Sequence, residues 1–351
     1  MLIWNDLEGE SMDSRKDNWF NLIPIAVTYL YVAGVVALAL SFFWSRESWG
    51  ISLWWDIPIG IIALLLIAPA QHRLWVLLEE AALGNLFRSR WWNDFAGDWL
   101  LAFPFSTSVH HVRMQIQSHH DFLNDPEKDA QLQINTLAGF WPPKWVRFLR
   151  VSAIIRWFSL RTNFNFHPTL APYRDPSQPP SPVALRIGTF YVLLMFAFLL
   201  TMYFQPGGRD LTKSLLTYVP VTMWLLMMVI FMLLPQRYYH HSTLKPIYSA
   251  KVMTLMRITY ISLLNCGLGW TTFLTERSAV LNYVALWIGP MVTATMALIL
   301  VRQWNQHGAG TLRNLTVRGL PKWILFPFNQ DQHLTRHEYP HLAWWELKSQ
   351  A

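Results

Sequence analysis

Twelve histidines are the residues best suited to chemistry: His72, His110, His111, His119, His120, His167, His240, His241, His307, His333, His337 and His341. Imidazole is the commonest side-chain ligand for transition metals and binds in its neutral form through either ring nitrogen. Three groupings stand out. The first runs from Gln71-His72 to Glu79-Glu80 and Leu83-Gly84. The second is Gln115-Ile116-Gln117-Ser118-His119-His120, followed by a polar run from Asn124 to Asp129. The third runs from Asn329 through Asp331, His333, Arg336 and His337 to Tyr339-Pro340. Histidines four apart, such as His333 and His337, project from one helix face, and a tandem pair such as His119-His120 at a helix end can reach around a common centre. The single cysteine, Cys266, lies in an apolar run, so neither an intrachain disulfide nor a cysteine-based metal site is expected.

The elements that must position these residues are long and apolar. Of 351 residues, 53% are apolar and 14% charged, well below the quarter or so of charged residues in a soluble domain. Six stretches reach the roughly 20 residues that cross a bilayer as a helix: about 19–44, 51–70, 183–204, 212–234, 251–275 and 279–301. Many of the 20 tryptophans flank these runs, as in an interfacial aromatic belt. Arg257 must snorkel or pair, and Gly289-Pro290 predicts a kink in the sixth stretch. No internal repeat is evident, and the one linker-like stretch is the Pro-rich 175–182. The start of the chain lacks the basic and apolar regions of a signal peptide, so the first stretch is expected to remain as an anchor. Six spans place 71–182, 235–250 and 302–351 on one side, and all twelve histidines with them. That side carries most of the arginines and lysines, which predicts that it is cytoplasmic. The fold expected is all-α: residues 1–351 as one polytopic membrane helical bundle with a helical cytoplasmic cap formed by 71–182 and 302–351. Segment 141–162 reads as a helix lying on the membrane, with Lys144, Arg147, Arg150 and Arg161 on one third of its circumference, or as a buried helix of the cap. The net charge of +7 does not indicate nucleic acid, because the basic residues flank the spans and no nucleic-acid motif is present.

With these segments in view, the chain resembles the membrane fatty acid desaturase and hydroxylase family, whose pattern is three histidine boxes: HxxxH before a glycine, HxxHH, and a second HxxHH before an aromatic and proline. The resemblance covers about 71–130 and 302–347, in QHRLWVLLEEAALGNLFRSRWWND, NDPEKD and HLTRHEYP, with His307 at a further position where the family often places a ligand. It implies two irons that activate dioxygen and abstract hydrogen from an acyl chain. The boxes depart from the pattern. Glu79 and Leu83 stand for the first pair, Ile116 replaces the leading histidine of the second box, and Arg336 replaces one in the third. His119, His120, His333 and His337 remain, so half of the expected ligands are absent. Glutamate can ligate iron; leucine and isoleucine cannot. A permanent guanidinium beside a dication costs several kcal/mol or more in a low-dielectric site.

The leading expectation is therefore a pseudoenzyme with the family fold and without the di-iron centre, acting as a partner or regulator of an active desaturase-family or other membrane protein, or as a lipid-binding subunit. The alternative is a working oxidoreductase with a rebuilt site, in which His119, His120, His307, His333 and His337 hold a single metal ion, iron if active, with Glu79 or Asp331. A transporter or scaffold is the third reading. A membrane lipid or acyl chain is the expected ligand in the first two. Arg336 is expected to pair with Glu79, or failing that with Asp331, because a lone buried guanidinium is costly. Leu83 and Ile116 are expected to fill part of the volume left by the ligands. His72 is expected to be structural, His110 and His111 to lie on the surface, Trp344 and Trp345 to be interfacial anchors, and the Asn124–Asp129 run to be a turn with capping carboxylates.

Overall fold

A computed structural model describes residues 19–123, 125, 127–129, 173, 175, 177, 181–204, 208–239, 242–307 and 312–347. Segment 141–162, His167, His240 and His241 lie outside the described residues. The described elements are helical: α1 (Leu22–Ser45), α2 (Asp56–Ala82), α3 (Arg90–Gly97), α4 (Val109–Asp121), α5 (Val183–Phe204), α6 (Arg209–Leu233), α7 (Ala250–Thr275), α8 (Ala279–Tyr283), α9 (Gly289–Val292), α10 (Ala294–Gln306), α11 (Gly319–Leu325) and α12 (His333–Glu338). Six helical stretches are long and apolar enough to cross a membrane: Trp19–Ser45, Leu53–Ala82, Val183–Phe204, Arg209–Leu233, Ala250–Thr275 and Ala279–Gln306. The chain divides into two compact units, Met1–Pro172 with Gly289–Ala351, and Tyr173–Ile288.

In the first unit, α1 is apolar around its whole circumference and leaves Ile23, Leu30 and Leu38 exposed, as a lipid-facing helix does. Arg46 at its end pairs with Asp56 in the first turn of α2 at 2.8 Å, and Gly50, at φ +67°, allows the turn between them. The second apolar helix extends well past residue 70, where the sequence placed its end. Its surroundings change along its length. Ile57, Ile61, Ile62, Leu65 and Leu66 are exposed, whereas Leu74 to Leu78, Glu80, Ala81 and Ala82 are buried. The helix stops at Gly84, whose φ of +79° puts it in the left-handed region. Gly84 N–H donates to Ala81 O at 3.0 Å and Asn85 N–H to Glu80 O at 2.8 Å, a Schellman closure.

The last carbonyls of α2 receive side chains from the next two helices. Asn93 Nδ2 of α3 donates to Ala81 O at 2.7 Å, and Arg113 Nε of α4 to Ala82 O at 2.9 Å. Arg113 also grips Asp94 at 2.6 and 2.8 Å. Gly97 lets α4 come this close, since a Cβ there would lie 2.6 Å from Val109 and 2.9 Å from Ala81. The later segments dock on the same end of α2. Thr295 Oγ1 of α10 donates to Gln71 Oε1 at 2.8 Å, His72 Nδ1 lies 2.9 Å from Ile324 O, and Asn85 Nδ2 donates to Pro340 O and Leu342 O. His72 is thus a tie between segments, as its sequence position suggested.

In the second unit, α5, α6 and α7 surround Tyr191, Met195, Met227, Phe231 and Ile258. Tyr191 and Ser262 hydroxyls meet at 2.6 Å, and Trp224 Nε1 donates to Thr259 Oγ1 at 3.1 Å, the interhelical side-chain hydrogen bonds found between helices packed in lipid. At Gly289-Pro290 the expected irregularity is present. A π-helical turn, Val284–Ile288, precedes the proline, and Thr293 leaves the helical region at φ −121°, ψ −93° before α10 begins.

Candidate metal centre

Each histidine is brought in by a separate local device. The α4 helix starts at Ser108, whose hydroxyl caps His111 N–H, and its buried residues run from Val109 to His119. The chain then folds back on itself. Asp125 Oδ1 accepts from Glu127 and Lys128 N–H, and Ser118 Oγ donates to Lys128 O at 2.6 Å. That return places Asp129, 1% exposed, against His119, with Nδ1 2.9 and 3.0 Å from the two carboxylate oxygens. His307 follows the last turn of α10. Gln306 Nε2 donates to Gln330 O at 2.6 Å, which ties the end of α10 to the turn preceding α12 and so brings His307 to His333. His333 and His337 share one face of α12.

The result is a group of four imidazoles, His119, His307, His333 and His337, whose ligating nitrogens all lie within 4.8 Å of one another. His333 Nε2 is 2.9 Å from His307 Nε2 and 3.2 Å from His337 Nε2. One ring nitrogen, carrying one proton or one lone pair, cannot serve both neighbours well, whereas a cation at the centre attracts all three lone pairs. His119 is prepared for that task. Its Nδ1–H donates to Asp129, so Nε2 keeps its lone pair, and Nε2 is buried without a hydrogen-bond partner among the described residues. A carboxylate behind an imidazole is the usual outer support of a metal ligand. Burial lowers the pKa of His307 and His120 to about 3, assisted by the charge of neighbouring histidines, and pushes His333 and His337 well below the ordinary imidazole value. The imidazoles of His307, His333 and His337 are therefore neutral, the form that binds metal. The donor set fits a divalent transition ion.

Two buried guanidiniums flank the group. Arg302, 2% exposed, makes a bidentate pair with Glu79 at 2.5 and 2.9 Å, and Trp75 Nε1 donates to the same carboxylate at 2.9 Å. Arg336, 5% exposed, donates to Glu80 and to Leu342 O. Arg302 acts electrostatically on His307 and His333, and Arg336 on His120 and His337, in each case opposing protonation. Each guanidinium leaves its Nε without a partner among the described residues, as do both amide atoms of the buried Gln303.

The segments around 79–83, 116–120 and 333–337 thus converge, but several expectations about them need correction. Arg336 pairs with Glu80 rather than with Glu79 or Asp331. Successive helix residues point about 100° apart, so of two tandem acids each meets a different arginine. Glu79 is taken by Arg302, which the sequence reading passed over; its signal was a lone cation near the end of an apolar helix. Asp331 is taken by Lys322 at 2.6 Å. His120 lies beside the four-histidine group, with its ring stacked on His337 at 4.3 Å between centroids. Ile116 is buried, while Leu83 caps α2 and is half-buried. His110 and His111 are buried, not on the surface, because α4 is packed on every side. Asp125 makes the expected turn, whereas Asp129 supports His119. Trp344 is half-buried and donates to Asn21 Oδ1 at 3.1 Å.

Over 151 residues the chain is 28% identical to dihydrorhizobitoxine desaturase of Bradyrhizobium elkanii, an alignment covering 41% of this chain and 38% of that protein. The chain is thus a distant homologue of a desaturase and spans well under half of its length in the match. No family model matches, and no solved structure does.

Proposed function

We propose that this chain is an integral membrane oxidoreductase of the desaturase family whose redox metal is held by His119, His307, His333 and His337. The single observation that carries the reading is the convergence of four imidazoles, one of them backed by a buried carboxylate. The distant homology to a desaturase supports it. The substrate class proposed is a membrane lipid or acyl chain, reached from the bilayer, with the centre on the cytoplasmic side by the distribution of basic residues.

The bound metal would supply the activation of dioxygen. Removing two hydrogens from a saturated carbon pair then consumes one dioxygen, two electrons and two protons, and yields the alkene and two waters; the electrons come from an external reductant. The chain's own residues do the rest. Asp129 holds the proton on His119 Nδ1 and so aims Nε2 inward. Burial and the cations Arg302 and Arg336 keep the rings of His307, His333 and His337 unprotonated.

A second reading, a family member without catalysis, is favoured by one observation: Arg336 occupies a ligand position of the third box and is locked to Glu80. Anaerobic loading of the detergent-purified chain with Fe(II) separates the two. Bound iron, raised thermal stability, loss of binding in His337→Ala and a 10- to 100-fold weaker affinity in Asp129→Asn are expected. A folded chain that takes up no iron would establish the non-catalytic reading.

A further inference from the structure

The structure assigns one metal ion, not two, to this centre, with the place of a second ion taken by the Arg302–Glu79 and Arg336–Glu80 pairs. This rests on the metal-binding reading above and goes further, because it fixes stoichiometry and the kind of chemistry the centre can perform.

The first argument is size. A tetrahedral shell with metal–nitrogen bonds of 2.0–2.1 Å has ligand–ligand edges of about 3.3 Å. The observed edges at His333 are 2.9 and 3.2 Å, and the whole group spans no more than 4.8 Å. Paired ions stand roughly 3.5–4 Å apart, each with its own ligands. Four nitrogens this close enclose a single point and cannot be divided between two.

The second argument is the fate of the nearby carboxylates. A second ion would need Glu79, Glu80 or Asp129. Asp129 accepts from His119 on both oxygens. Glu79 is bound on both oxygens by Arg302. Glu80, fully buried, is held by Arg336. To release either glutamate, a guanidinium would have to stand unpaired in a buried site beside a dication, and both arginines are permanently charged. His120 does not complete a second set, since it stacks face to face on His337.

The two pairs also remove the need for the second ion's charge. A cation balanced by its own carboxylate on either side of the histidines leaves the tie between α2, α10 and α12 intact with one metal or with none. The third box thus trades a ligand for a fixed counter-charge.

The test is metal stoichiometry with a spectroscopic readout. The full chain in detergent is loaded anaerobically with excess Fe(II), desalted, and its iron counted against protein. Nitric oxide is then added as a probe, since a mononuclear Fe(II) site gives an S = 3/2 nitrosyl signal. One iron per chain, all of it visible in that signal, is expected. In the double variant Arg336→Leu with Glu80→Leu, in which no buried charge is left alone, the count should stay at one. His333→Ala should lose most of it. Two irons per chain, or a spin-coupled pair silent to the probe, would overturn the one-ion assignment while leaving the oxidoreductase reading standing. A folded chain that binds no iron would overturn both.

Discussion

Two parts of the same unit bury arginine–carboxylate pairs, and they differ in how completely the pairs are satisfied. At the corner of α2, α3 and α4, Arg113 spends Nε on Ala82 O and both terminal nitrogens on Asp94. Beside the histidines, Arg302 and Arg336 each keep one buried N–H idle among the described residues. A buried ion pair stabilises a fold only when its remaining lone pairs and protons are also satisfied. The corner meets that condition and the histidine region does not. The first is a joint that closes helix ends; the second retains uncompensated polarity around the place where a metal would sit.

The contrast is broken most severely at the corner. Arg113→Met should cost about 3–5 kcal/mol, because the Asp94 charge is left buried without its cation and the helix-end carbonyl of Ala82 loses a donor. Chemical denaturation in detergent, read by tryptophan fluorescence, measures it; a change under about 1 kcal/mol would show that the corner is dispensable. Acid should act on the other region. The native pKa of His307 and His120 is about 3, below the ordinary 6.5. The unfolded chain therefore binds protons first as the pH falls. Stability of the metal-free protein is full above about pH 6.5 and is lost between there and about pH 3, by roughly 1.4 kcal/mol per pH unit for each histidine kept neutral. A flat profile from pH 7 to 5 would contradict the neutral, buried assignment. The smallest effect should come from replacing Arg336 and Glu80 together by leucine. Removing both members of a poorly satisfied pair is often neutral or stabilising, so the denaturation midpoint should hold or rise slightly. A large loss would place this pair in the same class as the corner.

Much of this was legible in the sequence. Apolar length set six spans, although the second helix runs on past residue 70 to Ala82. The spacing of His333 and His337 and the tandem at His119 marked residues that do converge. What was not legible depends on angle and on long-range return. Whether Glu79 or Glu80 meets Arg336 is a matter of one helical step, which no pattern of composition resolves. Asp129 read as a turn residue because its partner is ten positions away around a loop. The polar sequence of α4, VHHVRMQIQSHHD, reads as a surface helix, and only its packing between neighbouring segments buries His110 and His111.

The joining of His119 with His307, His333 and His337 has a consequence for how the protein is made. Synthesis proceeds from the N-terminal end, and four candidate membrane helices separate the first of these histidines from the second. A nascent chain holding only His119 and its Asp129 has one prepared imidazole and nothing to share a metal with. The centre is complete only after the helices have entered the bilayer and α12 has docked. On the proposed reading, metal capture is therefore a late event in biogenesis, and a chain that holds metal would by that fact have passed through correct insertion.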